Sequence, residues 1–225
     1  MSQAVRAENK HLQVEIPSGR VTLPGDLILP AAAQGVVLFA HGSGSSRHSP
    51  RNQFVARTIR DAGVGTLLFD LLTKEEESID VRTAHLRFDI SLLADRLVAA
   101  TEWLERAFDR LRVGYFGSST GGGAALVAAA EKVDDVNAVV SRGGRPDLAG
   151  DALPRVKAPT LLVVGGLDYP VIEMNRWAYA RLNCEKELVI VPGASHLFEE
   201  PGTLERVAHF AAGWFQTHLN AGEGR

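Results

Sequence analysis

Three side chains that could together cleave an ester lie far apart in the sequence. Ser119 is the middle residue of a GSSTG pentapeptide, which fits the pattern G-x-S-x-G, while Asp168 and His196 each follow a later apolar run. A serine hydroxyl becomes a strong nucleophile when a histidine takes its proton and an acid holds that histidine in the correct tautomer. The residue types and their order therefore predict a triad of Ser119, Asp168 and His196.

The glycines two residues before and after Ser119 select it over its neighbour Ser118. In a G-x-S-x-G turn the serine sits at a strained apex between a strand and a helix, where side chains at the flanking positions would collide. Ser118 fails this test because Phe116 and Thr120 occupy the corresponding positions. An apolar run before the turn and an alanine-rich segment after it predict the strand and the helix that the turn requires.

Two backbone amides are needed to stabilise the oxyanion that forms when a serine attacks a carbonyl. Thr120, directly after the nucleophile at the start of the predicted helix, is expected to supply one of them. The loop after the apolar run GVVLFA is expected to supply the other, with Ser43 as the first choice and Gly44 as the second. His41, at the start of this loop, is expected to hold it in place by hydrogen bonding.

Several residues near these positions are candidates for contact with a substrate. Arg142 and Arg145 could each bind a carboxylate with a bidentate fork, but an ion pair with Asp147 or with the acidic residues 75–77 fits the sequence equally well. The candidate contacts, which include two residues that flank triad positions, are His41, Gly44, Arg142, Tyr169 and Leu197.

The elements that must position these groups alternate along the chain after an initial β-hairpin. This order predicts an α/β fold with a mostly parallel sheet of about eight strands and helices on both faces. Ligands of such sheets gather at the carboxyl ends of the strands. Strands are predicted at residues 11–16, 21–29, 35–40, 65–72, 113–116, 136–140, 158–164 and 187–191. Helices are predicted at residues 50–62, 88–111, 121–130, 171–182 and 203–219, with a polar, acidic loop at 73–83.

Length and composition bound the class of protein. With 225 residues, 45% hydrophobic and 23% charged, the chain is expected to form one domain over residues 1–225, with residues 1–10 disordered and 220–225 as a tail. A net charge of −3 and the lack of a basic cluster argue against nucleic acid as a partner. No run is long and apolar enough for a membrane span or a secretion signal, so a membrane partner is not expected either.

The cysteine and the histidines give little sign of other chemistry. The single cysteine, Cys184, has no partner for an intrachain disulfide, which fits a cytoplasmic location, and it precedes a strand rather than occupying a turn. His48 and His85 are isolated in the sequence, so no metal site is predicted. No cofactor is expected, and the sequence does not fix the oligomeric state.

Four segments carry a resemblance to a known family, and the likeness runs from the hairpin to the closing helix. The segments LFAHGSGSS, YFGSSTGGG, LLVVGGLD and VPGASHLFEEPG are similar to those of α/β-hydrolase-fold serine hydrolases of the dienelactone-hydrolase-like branch. The resemblance implies that Ser119 is the nucleophile, Asp168 the acid and His196 the base. It also implies a small-molecule ester as substrate, and the chain has no insertion large enough for a lid domain.

One departure from the family affects the expected substrate. Dienelactone hydrolase itself uses a cysteine as nucleophile, whereas this chain has Ser119, so general ester hydrolysis is the primary expectation and lactone hydrolysis with the same triad the alternative. In some α/β hydrolases the acid follows the preceding strand, which makes Asp147 the rival of Asp168. Asp168 could instead cap the helix that follows it, and His196 could be a solvated loop histidine.

Two functions of other classes compete for the same fold. Gly42-Ser43-Gly44 after a strand, with Asp70 at the end of the next, resembles a dinucleotide-binding turn and its ribose-binding acid. Arg47 occupies the place of the third glycine, however, and a hairpin precedes the first strand. A non-catalytic binding protein on the hydrolase fold is the other possibility, against which the presence of all three triad side chains argues.

Overall fold

One sheet of eight strands organises the computed structural model, which describes residues 9–220. The strands are β1 (Lys10–Ser18), β2 (Val21–Leu29), β3 (Gly35–Ala40), β4 (Gly65–Phe69), β5 (Arg112–Ser118), β6 (Val136–Arg142), β7 (Thr160–Gly165) and β8 (Lys186–Val191). Their order across the sheet is β1-β2-β4-β3-β5-β6-β7-β8. The strands β1 and β2 form an antiparallel hairpin and β2 is antiparallel to β4, while β4, β3, β5, β6, β7 and β8 run parallel. The predicted fold class is therefore confirmed.

In the described part of the chain, six α-helices surround the sheet. They are α1 (Pro50–Asp61), α2 (Lys74–Thr83), α3 (Ile90–Ala107), α4 (Thr120–Glu131), α5 (Tyr169–Tyr179) and α6 (Thr203–Leu219). Strand β3 shows why helices cover both faces, since all six of its residues are buried. Successive side chains of a strand point to opposite faces. Val36 and Leu38 pack in one apolar cluster with residues of α3 and α4, and Val37 and Phe39 pack in another with residues of α1 and α6.

The prediction of a polar loop at residues 73–83 is wrong, because this segment forms helix α2. The Thr73 hydroxyl accepts a hydrogen bond from the Glu76 amide at 3.2 Å, and the Glu76 carboxylate accepts one from the Thr73 amide at 2.8 Å. This capping box satisfies two amides at the helix start. The glutamates at 75–77 lie in the first turn, where the helix dipole favours negative charge. A search for apolar periodicity misses α2 because the single residue that this helix buries, Asp80, is polar.

Smaller differences concern element ends and the chain termini. Strand β4 ends at residue 69 rather than 72, and α3 spans a shorter range than the predicted 88–111. Between β6 and β7 the chain forms a 3₁₀ helix, Pro146–Arg155. Residues 1–8 and 221–225, on which most of the predictions for the termini fall, lie outside the described residues, and Lys10 already belongs to β1. Within residues 9–220, no helix is both long enough and apolar enough to cross a bilayer.

Substitution of two glycines should separate a crowded position from an open one. A Cβ atom at Gly121 would overlap the carbonyl oxygen of Ala40, whereas a Cβ at Gly213, exposed in α6, would meet no atom within 4 Å. We expect Gly121→Ala to lower the free energy of unfolding by about 3 kcal/mol because of overpacking. Gly213→Ala should raise it by about 1 kcal/mol through higher helix propensity. Urea unfolding of both variants checks this, and an unchanged stability of Gly121→Ala would contradict the close approach.

Candidate active site

Ser119 lies at the turn between β5 and α4 with a backbone conformation that is rare for a non-glycine residue. Its φ is 52° and its ψ is −122°. Such a conformation costs about 1–3 kcal/mol and is found where surrounding structure enforces it. The enforcement comes from close packing, because a Cβ at Gly117 would overlap the carbonyl of Gly121, and one at Gly42 would come within 3.0 Å of the Ser119 Cβ.

Three main-chain hydrogen bonds fix the turn at Ser119. Its amide donates to the Arg142 carbonyl at 3.3 Å, and its own carbonyl accepts from the amides of Gly122 at 3.0 Å and Arg145 at 2.9 Å. The chain at the end of β6 therefore holds the Ser119 turn at the end of the neighbouring strand, β5. Thr120 is the first residue of α4, where an amide has no acceptor within the helix.

Asp168 and His196 meet at the ends of β7 and β8. The His196 Nδ1 and Asp168 Oδ2 atoms are 2.6 Å apart, with side-chain exposures of 39% for the histidine and 13% for the acid. Asp168 occupies the N-cap position of α5, but its side chain makes no capping hydrogen bond. Asp147 instead binds Arg145 through two guanidinium nitrogens at 2.7 and 2.9 Å. The structure thus brings Asp168, and not Asp147, to the histidine.

A carboxylate that the sequence analysis missed fixes the loop of His196. The Glu200 Oε2 atom accepts a hydrogen bond from the Ser195 amide at 3.0 Å. The Glu200 carbonyl accepts one from the Thr203 hydroxyl at 2.7 Å. The hydrogen bond from the Ser195 amide lowers the pKa of Glu200 below its usual 4.5. A loop carboxylate that binds an amide five residues earlier follows no periodic pattern, so the sequence offers no signal for it.

His41 holds the loop that contains Ser43. Its Nε2 accepts from the Leu71 amide at 3.0 Å, so the proton resides on Nδ1, which lies 3.1 Å from the Gly42 carbonyl. Burial lowers the pKa of His41, which keeps the ring neutral. At the other side of this loop the hydroxyl oxygens of Ser43 and Thr120 are 3.2 Å apart. The two residues predicted to supply oxyanion donors are therefore neighbours.

Two cavities meet at this loop. The first, called here the nucleophile cavity, has a volume of about 250 Å³ and is lined by Ser43, Arg51, Ser119, Arg142, His196 and Leu197, among others. The second, called here the α2 cavity, has about 280 Å³, and its lining includes His41, Ser43, Gly44, Asp70, Glu77 and Arg87. Ser43 lines both cavities. The two cavities therefore adjoin at this loop, one of them beside Ser119.

The remaining sequence candidates occupy different places around these cavities. Arg142 is buried in the nucleophile cavity, and Leu197, which is exposed, also lines it. Gly44 lines the α2 cavity with a φ of 66°. Tyr169, the first residue of α5, is 68% exposed and lies outside the lining of both cavities. Arg51 on α1 is a further lining residue that the sequence analysis did not name.

Groups that would support other chemistry are already engaged or scattered. Both the amide and the guanidinium of Arg47 bind the carboxylate of Asp70, the residue that a dinucleotide site would need for its ribose. Cys184 is half-buried, and burial raises the pKa of its thiol. In the described part of the chain, no three His, Cys, Asp or Glu side chains cluster in a way that could hold a metal ion.

Comparison with known proteins identifies the family. The model of the dienelactone hydrolase family matches residues 23–218. The chain belongs to the dienelactone hydrolase family. A crystal structure of the dienelactone hydrolase from Anabaena variabilis is 61% identical, with a TM-score of 0.93, over 95% of this chain and 100% of that one. An α/β serine hydrolase without a lid from Xanthomonas campestris is 20% identical, with a TM-score of 0.74, over 95% and 97% of the two chains. At that identity the second structure supports the fold alone.

One curated relative of the chain is much longer than the chain itself. A Mycobacterium tuberculosis H37Rv protein that carries the provisional name phosphoribosyl transferase is 57% identical over 209 residues, which are 92% of this chain and 46% of that protein. The chain thus spans about half the length of the curated relatives it matches. That name applies to the whole relative, and it does not say which activity belongs to the half that this chain matches.

The Glu200 carboxylate should make the stability of the protein depend on acid pH. Because the folded-state pKa is lowered, its stabilising effect is complete above the usual value of 4.5 and is lost as the pH falls through the lower folded value. Wild type should therefore have a higher melting temperature than Glu200→Gln at pH 7, and the difference should shrink below pH 4.5. The control is Glu187→Gln on the exposed side of β8, for which we expect no such difference. A constant gap between wild type and Glu200→Gln down to pH 3 would contradict the assignment.

Proposed function

We propose that this protein is a serine hydrolase that cleaves carboxylic esters of small or short-chain substrates. The observation that carries the proposal is the 2.6 Å contact of His196 with Asp168 beside a cavity that Ser119 also lines. Membership of the dienelactone hydrolase family supports hydrolysis, and the strained turn supports Ser119 as the reacting group. Lactone hydrolysis by the same three residues is the alternative.

The proposed reaction passes through an acyl-enzyme. Asp168 accepts a hydrogen bond from the Nδ1–H of His196, which leaves Nε2 free to take the proton of the Ser119 hydroxyl. The serine oxygen attacks the ester carbonyl, and His196 returns the proton to the leaving alcohol. Water then attacks the acyl group while His196 takes its proton, and His196 returns that proton to the Ser119 oxygen as the acid is released.

The amides of Thr120 and Ser43 are the proposed donors to the oxyanion. Thr120 begins α4, so its amide is free of a helical acceptor and the helix dipole adds to its effect. His41 fixes the main chain next to Ser43 through the Gly42 carbonyl and the Leu71 amide. A neutral histidine suits this role, because a charged ring at this position would have no acceptor site for the Leu71 amide.

Other parts of the proposal follow from less direct observations. We propose a small molecule as the partner, rather than nucleic acid or membrane, because the net charge is −3 and the recesses at Ser119 are small. We also propose a cytoplasmic location, on the ground that the chain has a single cysteine. The oxidoreductase alternative is disfavoured because Arg47 already binds the Asp70 carboxylate, which a dinucleotide site would need for its ribose.

Replacement of Ser119 should abolish the activity while its neighbour tolerates the same change. We expect Ser119→Ala to lower kcat on 4-nitrophenyl acetate by about 10⁴-fold or more, as removal of an activated nucleophile does. Ser118→Ala, the matched control, should stay within about tenfold of wild type. A fluorophosphonate probe should label wild type and Ser118→Ala but not Ser119→Ala. Labelling of Ser119→Ala at the wild-type rate would remove Ser119 from its role, and no labelling of wild type would favour a binding protein.

Two aspartate variants test which carboxylate acts with His196. Asp168→Asn should lower kcat by about 10⁴-fold, because an amide favours the wrong tautomer of the histidine. Asp147→Asn should keep most of the activity, because Asp147 is bound to Arg145. Steady-state kinetics on the same ester, with circular dichroism to confirm folding, distinguish the two. The reverse order of effects would make Asp147 the acid.

A further inference from the structure

Arg142 is a buried cation without a hydrogen-bond partner among the described residues. It is the last residue of β6 and is 8% exposed, and both Nε and Nη1 are buried and unpaired. The other arginine buried to this degree, Arg96, has 6% exposure and donates to the Glu76 carboxylate at 2.7 Å and to the Ser18 carbonyl at 3.2 Å. A buried charge that lacks a partner is strongly destabilising. Arg142 therefore needs an explanation that Arg96 does not.

The surroundings of Arg142 add positive charge and offer no carboxylate, so they favour the binding of an anion. Arg51 lines the same cavity, and the lining contains no carboxylate among the described residues. Within residues 9–220, the acid that Arg51 contacts is Glu199, an exposed residue 3.3 Å away. Burial, and next the charge of Arg51, lower the pKa of Arg142 to about 10. At neutral pH the guanidinium remains protonated, so the positive charge is present when a substrate binds.

The position of Arg142 relative to Ser119 is fixed by the main chain. The Arg142 carbonyl accepts the hydrogen bond of the Ser119 amide, and both side chains line the nucleophile cavity. With a volume of about 250 Å³, this cavity has room for one small molecule that contacts both groups. An anion at Arg142 and a carbonyl at Ser119 would therefore belong to the same ligand.

We propose that Arg142 binds an oxyanion group, a carboxylate or a phosphate, that the ester substrate carries in addition to its scissile bond. This proposal rests on the proposed esterase function and specifies its substrate class. The planar guanidinium donates two parallel hydrogen bonds to such a group, which a lysine or a neutral side chain cannot do. Arg51 adds a second positive charge at the more exposed side of the cavity. The anion supplies the hydrogen-bond acceptors that the protein withholds from Arg142.

The test compares esters that differ only in the charged group. The substrates are 4-acetoxybenzoate, its neutral methyl ester and 4-acetoxyphenyl phosphate, and the measured quantity is kcat/KM for each anionic ester divided by kcat/KM for the neutral one. Arg142→Met should lower this ratio by about 100-fold. Arg57→Met, an exposed arginine on α1 that lines neither cavity, is the control and should leave the ratio unchanged. The larger loss between the carboxylate and the phosphate identifies the preferred oxyanion.

A binding measurement keeps this proposal separable from the esterase function. Calorimetric titration of Ser119→Ala protein with 4-hydroxybenzoate and with inorganic phosphate needs no turnover, and one of the two anions should bind about 100-fold more weakly when Arg142→Met is added. If Arg142→Met does not fold, Arg142→Gln and Arg142→Lys replace it, and Lys should recover part of the affinity through charge alone. An unchanged kcat/KM ratio, or anion binding that is equal with and without Arg142, would overturn the oxyanion site while leaving hydrolysis intact. Anion binding that depends on Arg142 without hydrolysis of any ester would instead retain the site and reject the esterase.

Discussion

The left-handed backbone of Ser119, held by its contacts with neighbouring strands, is the constraint on which the site depends. Glycine at 42, 117 and 121 lets the ends of β3, β5 and the start of α4 approach closely enough to impose that conformation. The turn carries a cost of about 1–3 kcal/mol, which the two apolar clusters on either side of the sheet must offset. The turn thus places the Ser119 hydroxyl at the carboxyl edge of the sheet, where His196 and Asp168 also lie.

The loop at residues 41–46 divides that edge into two recesses of opposite character. The charged side chains on the Ser119 side are Arg51 and Arg142, whereas Asp70, Glu77 and Asp80 line the α2 side, with Arg87 as a cation. An anionic substituent is therefore attracted to the recess at Ser119. Under the proposed function, this positive charge would orient an ester that carries an anion, whereas a neutral ester would not be oriented in this way.

Sequence reasoning could predict what depends on local pattern and strand order, and it missed what depends on side-chain direction. The parallel sheet, and the contact of Asp168 with His196 beside the cavity that Ser119 lines, follow from apolar runs and from the rule that strand ends share an edge. Helix α2 was missed because it buries little apolar surface and depends on a capping box. Arg142 and Arg145 are the same residue type three positions apart, yet Arg145 is held by Asp147 and Arg142 is unpaired. Only the path of the chain after β6 separates their environments.

The strain at Ser119 and the charge at Arg142 are two unfavourable features that share one hydrogen bond. Because the Arg142 carbonyl accepts from the Ser119 amide, the end of β6 sets the direction of the guanidinium and the place of the hydroxyl together. A displacement of this strand end would disturb both groups at once. Residues that break the usual rules of stability concentrate at functional sites, since selection for stability alone would remove them. That both exceptions occur on one backbone contact is therefore better explained by a ligand that spans them than by two unrelated defects.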